Sequence, residues 1–489
     1  VRRMQNLARA SIDKKRAVPY PASMTFDEAR QRLDTEGQGH VLRFWERLNG
    51  DERGLLLEQI ASLDLDRVRQ MRVQLRGRQA GAGGPASDPE PAEVMELAAD
   101  RRAVATLRGE SALRAGQVGV LLVAGGQGSR LGFEGPKGAY PIGPVSQAVL
   151  FYFHARKVLA LSRAYDRTVP FYIMTSESND AATRACFAEH AWFGLKPESV
   201  FFFKQGMWPA LDEEGRLILD APGHLFMSPD GHGGTLSALQ ASDGLDDMAR
   251  RGLRTLFYFQ VDNPLVEVAD PAFIGLHLLE GADLSIKVCA KRDPQEGLGM
   301  VVRRNGRCEM VEYTELTEEQ KHRRRPDGSL HFKYGSVAIH LFQLDFLRRE
   351  ATAGLPMHIA HKKIPVCGDD GTVTTPGKPN GYKFEKFIFD VLPHADRVLN
   401  LAFDRAEEFS PVKNAAGADS PETCRHDLIA KWGRWFAAIG VELPRAADGF
   451  PSVPIEIDPL YARTPAQLKQ RLQEAPLPDV HQPIWLRDM

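Results

Sequence analysis

The sequence predicts an α/β protein built on a doubly wound, mostly parallel sheet, with a helical N-terminal segment and a small C-terminal domain. Three observations carry this expectation. From Val118 onward, short apolar runs alternate with longer stretches of helical spacing. The runs end in polar or glycine-rich residues, as at Ala124-Gly125-Gly126, Thr175-Ser176, Lys204-Gln205-Gly206 and Asp262-Asn263, where ligands of such sheets gather. The chain, at 489 residues, also exceeds what one hydrophobic core usually supports, so two or three domains are expected.

Up to about Arg76, apolar side chains recur at three- and four-residue intervals, which predicts helices over 26–33, around Val41 to Leu48, and over 55–63. Residues 79–91 are rich in Gly, Pro and Ala without an apolar period and read as a flexible surface connection. Strands are expected at 118–123, 169–175, 200–203 and 255–261, with helices at 146–161 and 180–188 between them. Past Phe409 a Pro-rich segment (450–459) precedes a short helix at 465–472. The expected domains are therefore 1–95, a helical segment with its linker; 96–408, the α/β domain; and 409–489, a small C-terminal domain.

Lys plus Arg number 62 against 64 Asp plus Glu, a net charge of −2, so bulk attraction to nucleic acid or an anionic membrane is not expected and any cationic site must be local. The run Lys321-His-Arg-Arg-Arg325, bounded by Pro326-Asp-Gly, reads as a solvated loop. Five scattered cysteines (Cys186, Cys289, Cys308, Cys367, Cys424) without C-x-x-C spacing argue against a disulfide framework or a zinc site and fit a reducing cytoplasm. The basic start, Val-Arg-Arg-Met-Gln-Asn, is followed by no apolar run of leader or membrane-spanning length, so a protein that is not exported is expected.

The most informative stretch runs from Val118 to Lys137. A buried-strand signature, Val118 to Val123, opens into a turn in which Gly125, Gly126, Gly128 and Gly132 leave the backbone N–H groups accessible to phosphate, and Arg130 and Lys137 supply charge. A Walker A loop would need Ser or Thr directly after its lysine, but Gly138 follows Lys137. A dinucleotide fingerprint fails as well, because the third glycine falls one position late.

The frame Gly-Gly-x-Gly-Ser-Arg-Leu-Gly followed by Pro-Lys resembles the signature of sugar-nucleotide pyrophosphorylases. Six further blocks, in order, resemble the eukaryotic-type UDP-sugar pyrophosphorylase (uridylyltransferase) family, and more closely its UDP-N-acetylhexosamine branch. They are Phe203-Lys-Gln-Gly-Met-Trp-Pro-Ala210, Ser228-Pro-Asp-Gly-His-Gly-Gly234, Gln260-Val-Asp-Asn-Pro264, Val311-Glu-Tyr-Thr-Glu-Leu316, Lys378-Pro-Asn-Gly-Tyr-Lys-Phe-Glu-Lys-Phe387 and Glu408-Phe-Ser-Pro-Val-Lys-Asn414. The resemblance implies a Rossmann-like nucleotidyltransferase, glycosyltransferase-A-like, with 96–408 as its catalytic domain.

It also implies that Val123, Ala124, Gly125, Gly126 and Gln205 line the uracil pocket, with Gly231 close to the nucleoside; a glutamine amide can donate to and accept from the imide edge of uracil. Asp262, directly after an apolar strand, reads as a carboxylate for Mg2+ or as an Asx turn with Asn263 and Pro264. Lys383 and Lys413 match positions that reach the nucleotide phosphates and the sugar phosphate, although either could be a solvated surface lysine. Gly299, Glu312 and Tyr313 match positions that meet sugar hydroxyls or an N-acetyl group. His232 and Ser336 also fall in the sugar pocket and depart from the branch, which usually has asparagine at both.

The implied activity is conversion of UTP and a sugar 1-phosphate, N-acetylglucosamine 1-phosphate first among them, to UDP-sugar and pyrophosphate by direct in-line attack, with Arg130, Lys137 and Lys413 as catalytic cations. Two alternatives stay open: a UDP-glucose or broad-specificity UDP-sugar pyrophosphorylase, and a catalytically idle UDP-sugar sensor.

Overall fold

The computed structural model describes residues 24–79, 88–475, 477 and 479–488; residues 80–87 of the expected linker and the basic start of the chain lie outside the described residues. Contacts divide the chain into two units, one of Val1–Gly84, Trp208–Ser228 and Ile359–Phe384, the other of Pro85–Met207, Pro229–His358 and Glu385–Met489. The region from Phe409 onward thus belongs to the second unit.

In the first unit, helices α1 (Phe26–Thr35) and α2 (Gly50–Ser62) begin at capping boxes, Thr25 with Glu28 and Asn49 with Glu52, and α3 spans Leu65–Gln79. Between α1 and α2 the apolar spacing builds two 3-10 turns, Gly39–Leu42 and Trp45–Arg47, rather than an α-helix. Gly37, at φ 65°, turns the chain out of α1, and the residues that suggested a helix, Val41 and Phe44 among them, are buried from short turns instead.

The second unit is organised by a ten-stranded sheet. Its strands are β1 (Val118–Val123), β2 (Phe171–Thr175), β3 (Val200–Lys204), β4 (Thr255–Gln260), β5 (Leu284–Ala290), β6 (Met300–Arg304), β7 (Arg307–Val311), β8 (Tyr334–Gln343) and β9 (Val398–Ala402), with a two-residue strand Glu90–Pro91 at one edge. The order β3–β2–β1–β4 is parallel throughout. Beyond β4 the sheet continues through β8, antiparallel to β4, and then divides into a β6–β7 hairpin and a parallel β5–β9 pair. The four parallel strands match the runs expected from the sequence, shortened at β2 because Pro170 cannot donate to the ladder. Strands β5 to β9 were not foreseen.

Alternate residues of β1 face opposite cores. Val120 and Leu122 pack with α4 (Ala99–Arg114), α5 (Leu150–Ala164), α6 (Asp180–Glu189) and a helix at Pro271–Glu280, whereas Leu121 packs with α7 (Gly234–Ala241) and a helix at Leu344–Ala353. Burial on both faces is why these strands read as unbroken apolar runs. Strand β2 lies on one side of β1 and β4 on the other, so the chain changes direction at β1, and the crevice between the C-terminal ends of β1 and β4 is the switch point where such sheets bind ligands. Among the described residues no helix is long and apolar enough to cross a membrane.

Candidate active site

The glycine loop leaves β1 at this crevice and folds back on itself. Gly128 N donates to Gly135 O (2.9 Å) and Lys137 N to Gly126 O (3.1 Å), which brings the Pro136-Lys137 pair beside the first glycines. Asn179, the residue just before α6, pins the same loop, its Nδ2 donating to Ala124 O (2.9 Å) and Gly126 O (3.3 Å). Gly132 has a φ of 68°, which only glycine adopts without strain. Gly125 is required for a different reason: a Cβ there would stand 2.8 Å from Gln205 Oε1, so the Gln205 amide lies against the bare backbone. Gly206 packs in turn on the Asp230 carboxylate, and Gly231, at φ 82°, leaves no room for a Cβ beside Lys386 O. The structure thus places Gly125 against Gln205, and Gly206 against Asp230 next to Gly231, at the ends of β1 and β3, with Ala124 buried beneath. Arg130 is exposed on a 3-10 turn, Ser129–Leu131, and Lys137 is half-buried; neither side chain makes an ion pair or hydrogen bond among the described residues.

Beyond the end of β4 lies a cavity of about 180 Å³. Asp262, Gly299, Glu312, Ser336, His232 and Lys413 all line it, so six residues drawn from distant parts of the sequence converge. The other expected site residues fall elsewhere. Tyr313 is 38% exposed and packs its ring near Gly297 at the cavity wall. Lys383 belongs to the first unit, where its ammonium sits 4.8 Å from the Phe226 ring.

Asp262 is largely buried, and its carboxylate, which faces the cavity, makes no ion pair or hydrogen bond among the described residues. A buried carboxylate without a partner is costly unless a cation offsets it. No group of three or more potential metal-ligating side chains occurs among the described residues, so any ion here would complete its shell with waters and phosphate oxygens. A hard divalent cation fits that donor set.

Glu312 titrates above the usual glutamate range, because burial and then the neighbouring Glu315 disfavour its charge against the pull of His358 and Lys413. His232 sits against the rings of Phe387 and Phe389, and burial lowers its imidazole to about 4. Its Nδ1 accepts from Ile388 N at 3.2 Å, so the neutral ring carries its proton on Nε2.

The family model for UTP–glucose-1-phosphate uridylyltransferase matches residues 91–421. The chain belongs to this uridylyltransferase family. The mouse UDP-N-acetylhexosamine pyrophosphorylase-like protein 1 is 37% identical over 91% of this chain and 94% of its own length. The UDP-N-acetylglucosamine pyrophosphorylase of Saccharomyces cerevisiae is 36% identical over 84% of this chain and 91% of its own. Among solved structures, the uridine diphosphate N-acetylglucosamine pyrophosphorylase of Trypanosoma brucei in complex with an inhibitor superposes with a TM-score of 0.80 at 29% identity, covering 96% of this chain and 99% of that one. As a uridylyltransferase the chain is a nucleotidyltransferase, using UTP and a sugar 1-phosphate and releasing pyrophosphate; enzymes of this family generally use a divalent metal.

Several residues that build this candidate site were not singled out in the sequence. Asn263 ties the Asp262 turn to the segment carrying Lys413: its Nδ2 donates to Glu408 O (2.7 Å) and its Oδ1 accepts from Ser410 N (3.1 Å), while Val412 N donates to Asp262 O (2.8 Å). Lys431, on α8 (Pro421–Ala438), spans the same two segments from behind, donating to Glu407 O (2.6 Å) and Leu265 O (3.4 Å). Glu408 is itself held by the buried Lys287, at 2.6 and 2.7 Å. Breaking such a buried pair by removing one partner costs about 3–5 kcal/mol, so the segment that presents Lys413 is firmly placed. Asn263 was visible in the Asp-Asn-Pro turn, but its reach across 145 positions to Glu408 was not.

Strand β8 contributes a bulge. Ile339 stands opposite Lys287 and Ser336 opposite Val288, so Val337 and Ala338 are extra residues pushed out of the ladder, and both line the cavity. Ala338 is held at φ 58°, with its N–H donating to Ser336 Oγ at 3.3 Å. Ser336 therefore supports the bulge as well as facing the cavity. Non-glycine backbone in this region costs of order 1–3 kcal/mol and tends to occur at functional sites.

Proposed function

We propose that this uridylyltransferase makes UDP-N-acetylglucosamine and pyrophosphate from UTP and N-acetylglucosamine 1-phosphate, with Mg2+ as its divalent metal. The observation that carries the reading is the cavity beyond β4, whose lining joins the charged Asp262 and Lys413 to the apolar Leu298, Met310, Val337, Ile388 and Phe389. The charged residues suit a phosphate, and the apolar ones suit the methyl of an acetamido group better than the hydroxyl of glucose. The pyrophosphorylases of Saccharomyces cerevisiae and Trypanosoma brucei, named for this sugar nucleotide, support the same substrate. Five cysteines without a disulfide fit a cytoplasmic enzyme.

In the mechanism we infer, Gln205 reads the imide edge of uracil across Gly125, and Val123, Ala124, Gly126 and Gly231 leave room for the nucleoside. Lys383 is assigned to the nucleotide phosphates on the family pattern. The second ionisation of a phosphate monoester lies near pH 6, so the attacking oxygen of the sugar phosphate is already anionic at neutral pH and needs no protein base. Lys413 orients it toward the α-phosphorus, and Arg130 and Lys137 offset charge developing on the leaving pyrophosphate. Asp262 would hold Mg2+, which when bound neutralises phosphate charge in the transition state. Gly299, Glu312, His232, Ser336 and, at the rim, Tyr313 contact the sugar. Glu312 serves as a hydrogen-bonding group to the sugar, since the anionic phosphate needs no proton acceptor.

A pyrophosphate-release assay with UTP and a panel of sugar 1-phosphates tests this reading. N-acetylglucosamine 1-phosphate is expected to give the highest kcat/KM. Because Ser336 is shorter than asparagine and partly engaged by the bulge, glucose 1-phosphate should follow within about a hundredfold, a gap of about 2.7 kcal/mol. Higher kcat/KM with glucose 1-phosphate would overturn the sugar assignment, and release with no sugar in the panel would favour the sensor.

A further inference from the structure

His340, on β8, lines the same cavity and is 3% exposed. Neither ring nitrogen has a hydrogen-bond partner among the described residues. An imidazole whose accessible nitrogen has no protein partner and opens into a ligand cavity is placed to pair with the ligand. Nδ1 is sealed from solvent, whereas Nε2 is the ring atom open to the cavity. Burial, and then His232 nearby, lower the imidazole to about 3, so the ring is neutral throughout the working range. With Nδ1 shut away, an unused lone pair there is less costly than an unused N–H, which places the proton on Nε2. The ring is held by aromatic neighbours, Tyr258 at 5.4 Å and Phe342 at 5.9 Å between centroids, and so presents a fixed donor.

We propose that His340 is a sugar-specificity residue, its Nε2–H donating to the carbonyl oxygen of the 2-acetamido group. This rests on the N-acetylglucosamine reading above. The chemistry is selective because two features coincide: a neutral donor for a carbonyl, and an apolar wall, including Leu298 and Met310, for the attached methyl. A sugar hydroxyl could use the donor but would leave the apolar wall unmatched. A site that donates to a substrate group discriminates against the analogue lacking it, because its buried polar atom is then left unpaired.

The test compares His340→Phe and His340→Gln with the wild type, measuring kcat/KM for N-acetylglucosamine 1-phosphate and glucose 1-phosphate, KM for UTP, and Tm. Phenylalanine keeps the ring packing and removes both nitrogens. It should lower kcat/KM for the N-acetyl sugar about thirtyfold, change that for glucose 1-phosphate less than threefold, leave KM for UTP unaltered, and keep or raise Tm because an unpaired polar atom is removed. His340→Gln, which retains a donor, should recover most of the N-acetyl preference. Equal losses for both sugars, or a lowered Tm in both variants, would make His340 a packing residue and overturn the proposal. If the wild type itself lacks activity with the N-acetyl sugar, the underlying substrate reading fails instead, before any variant is compared.

Discussion

Replacing Asp262 with asparagine is expected to lower turnover by about a thousandfold or more while leaving the fold intact. The substitution preserves shape, and the Asp262 side chain makes no ion pair or hydrogen bond among the described residues that would be lost with its charge. The backbone contact from Val412 N to Asp262 O remains available, so the Lys413 segment should keep its place. What is lost is the negative charge that the proposed hold on a hard cation requires. A thousandfold loss corresponds to about 4 kcal/mol of transition-state stabilisation, within the range of several kcal/mol that a bound metal supplies to phosphoryl chemistry. A second measurement separates metal binding from catalysis: Mg2+ should increase the Tm gain given by UTP in the wild type and not in the variant. Wild-type turnover in the asparagine variant would refute the metal role.

The other large effect is expected at Lys413. Its alanine variant should lose at least about a hundredfold in kcat/KM, or about 2.7 kcal/mol, with KM for UTP little changed. The backbone at this position is fixed independently of the side chain, since Lys413 N donates to Asp419 O at 2.7 Å. Truncation therefore removes the ammonium without releasing the loop. Lys413→Arg should recover only part of the loss, because a planar fork cannot replace a compact point charge at an already shaped site. Equal weakening toward UTP and the sugar phosphate would move Lys413 to the nucleotide.

The parts of this fold legible in the sequence were those whose physics is local. Strands β1, β2 and β4 are buried on both faces, which produces apolar runs that composition reveals directly, and the glycine loop declares its close approaches through residues without side chains. The antiparallel half was harder to see. Strand β8 carries a two-residue bulge and polar positions such as Ser336 and His340, so its alternation is broken where the cavity needs it to be. The same distinction holds at the site. Asp262, Gln205 and Lys413 sit in motifs, but Asn263, Lys431 and Lys287 act through contacts across long sequence separations, and those exist only once the chain has folded. Tyr313, matched from a motif, stands at the rim, 38% exposed, rather than among the cavity residues.

The central claim is that the sugar phosphate attacks the α-phosphorus of UTP directly, with no protein nucleophile. The stereochemical course of the reaction tests this most directly. A UTP analogue made chiral at the α-phosphorus by a single sulfur substitution is converted, in the presence of N-acetylglucosamine 1-phosphate, to a UDP-sugar whose phosphorus configuration can be assigned by phosphorus NMR. One in-line displacement inverts the centre, and inversion is the result this account predicts. Retention would require two displacements through a uridylylated side chain and would contradict it.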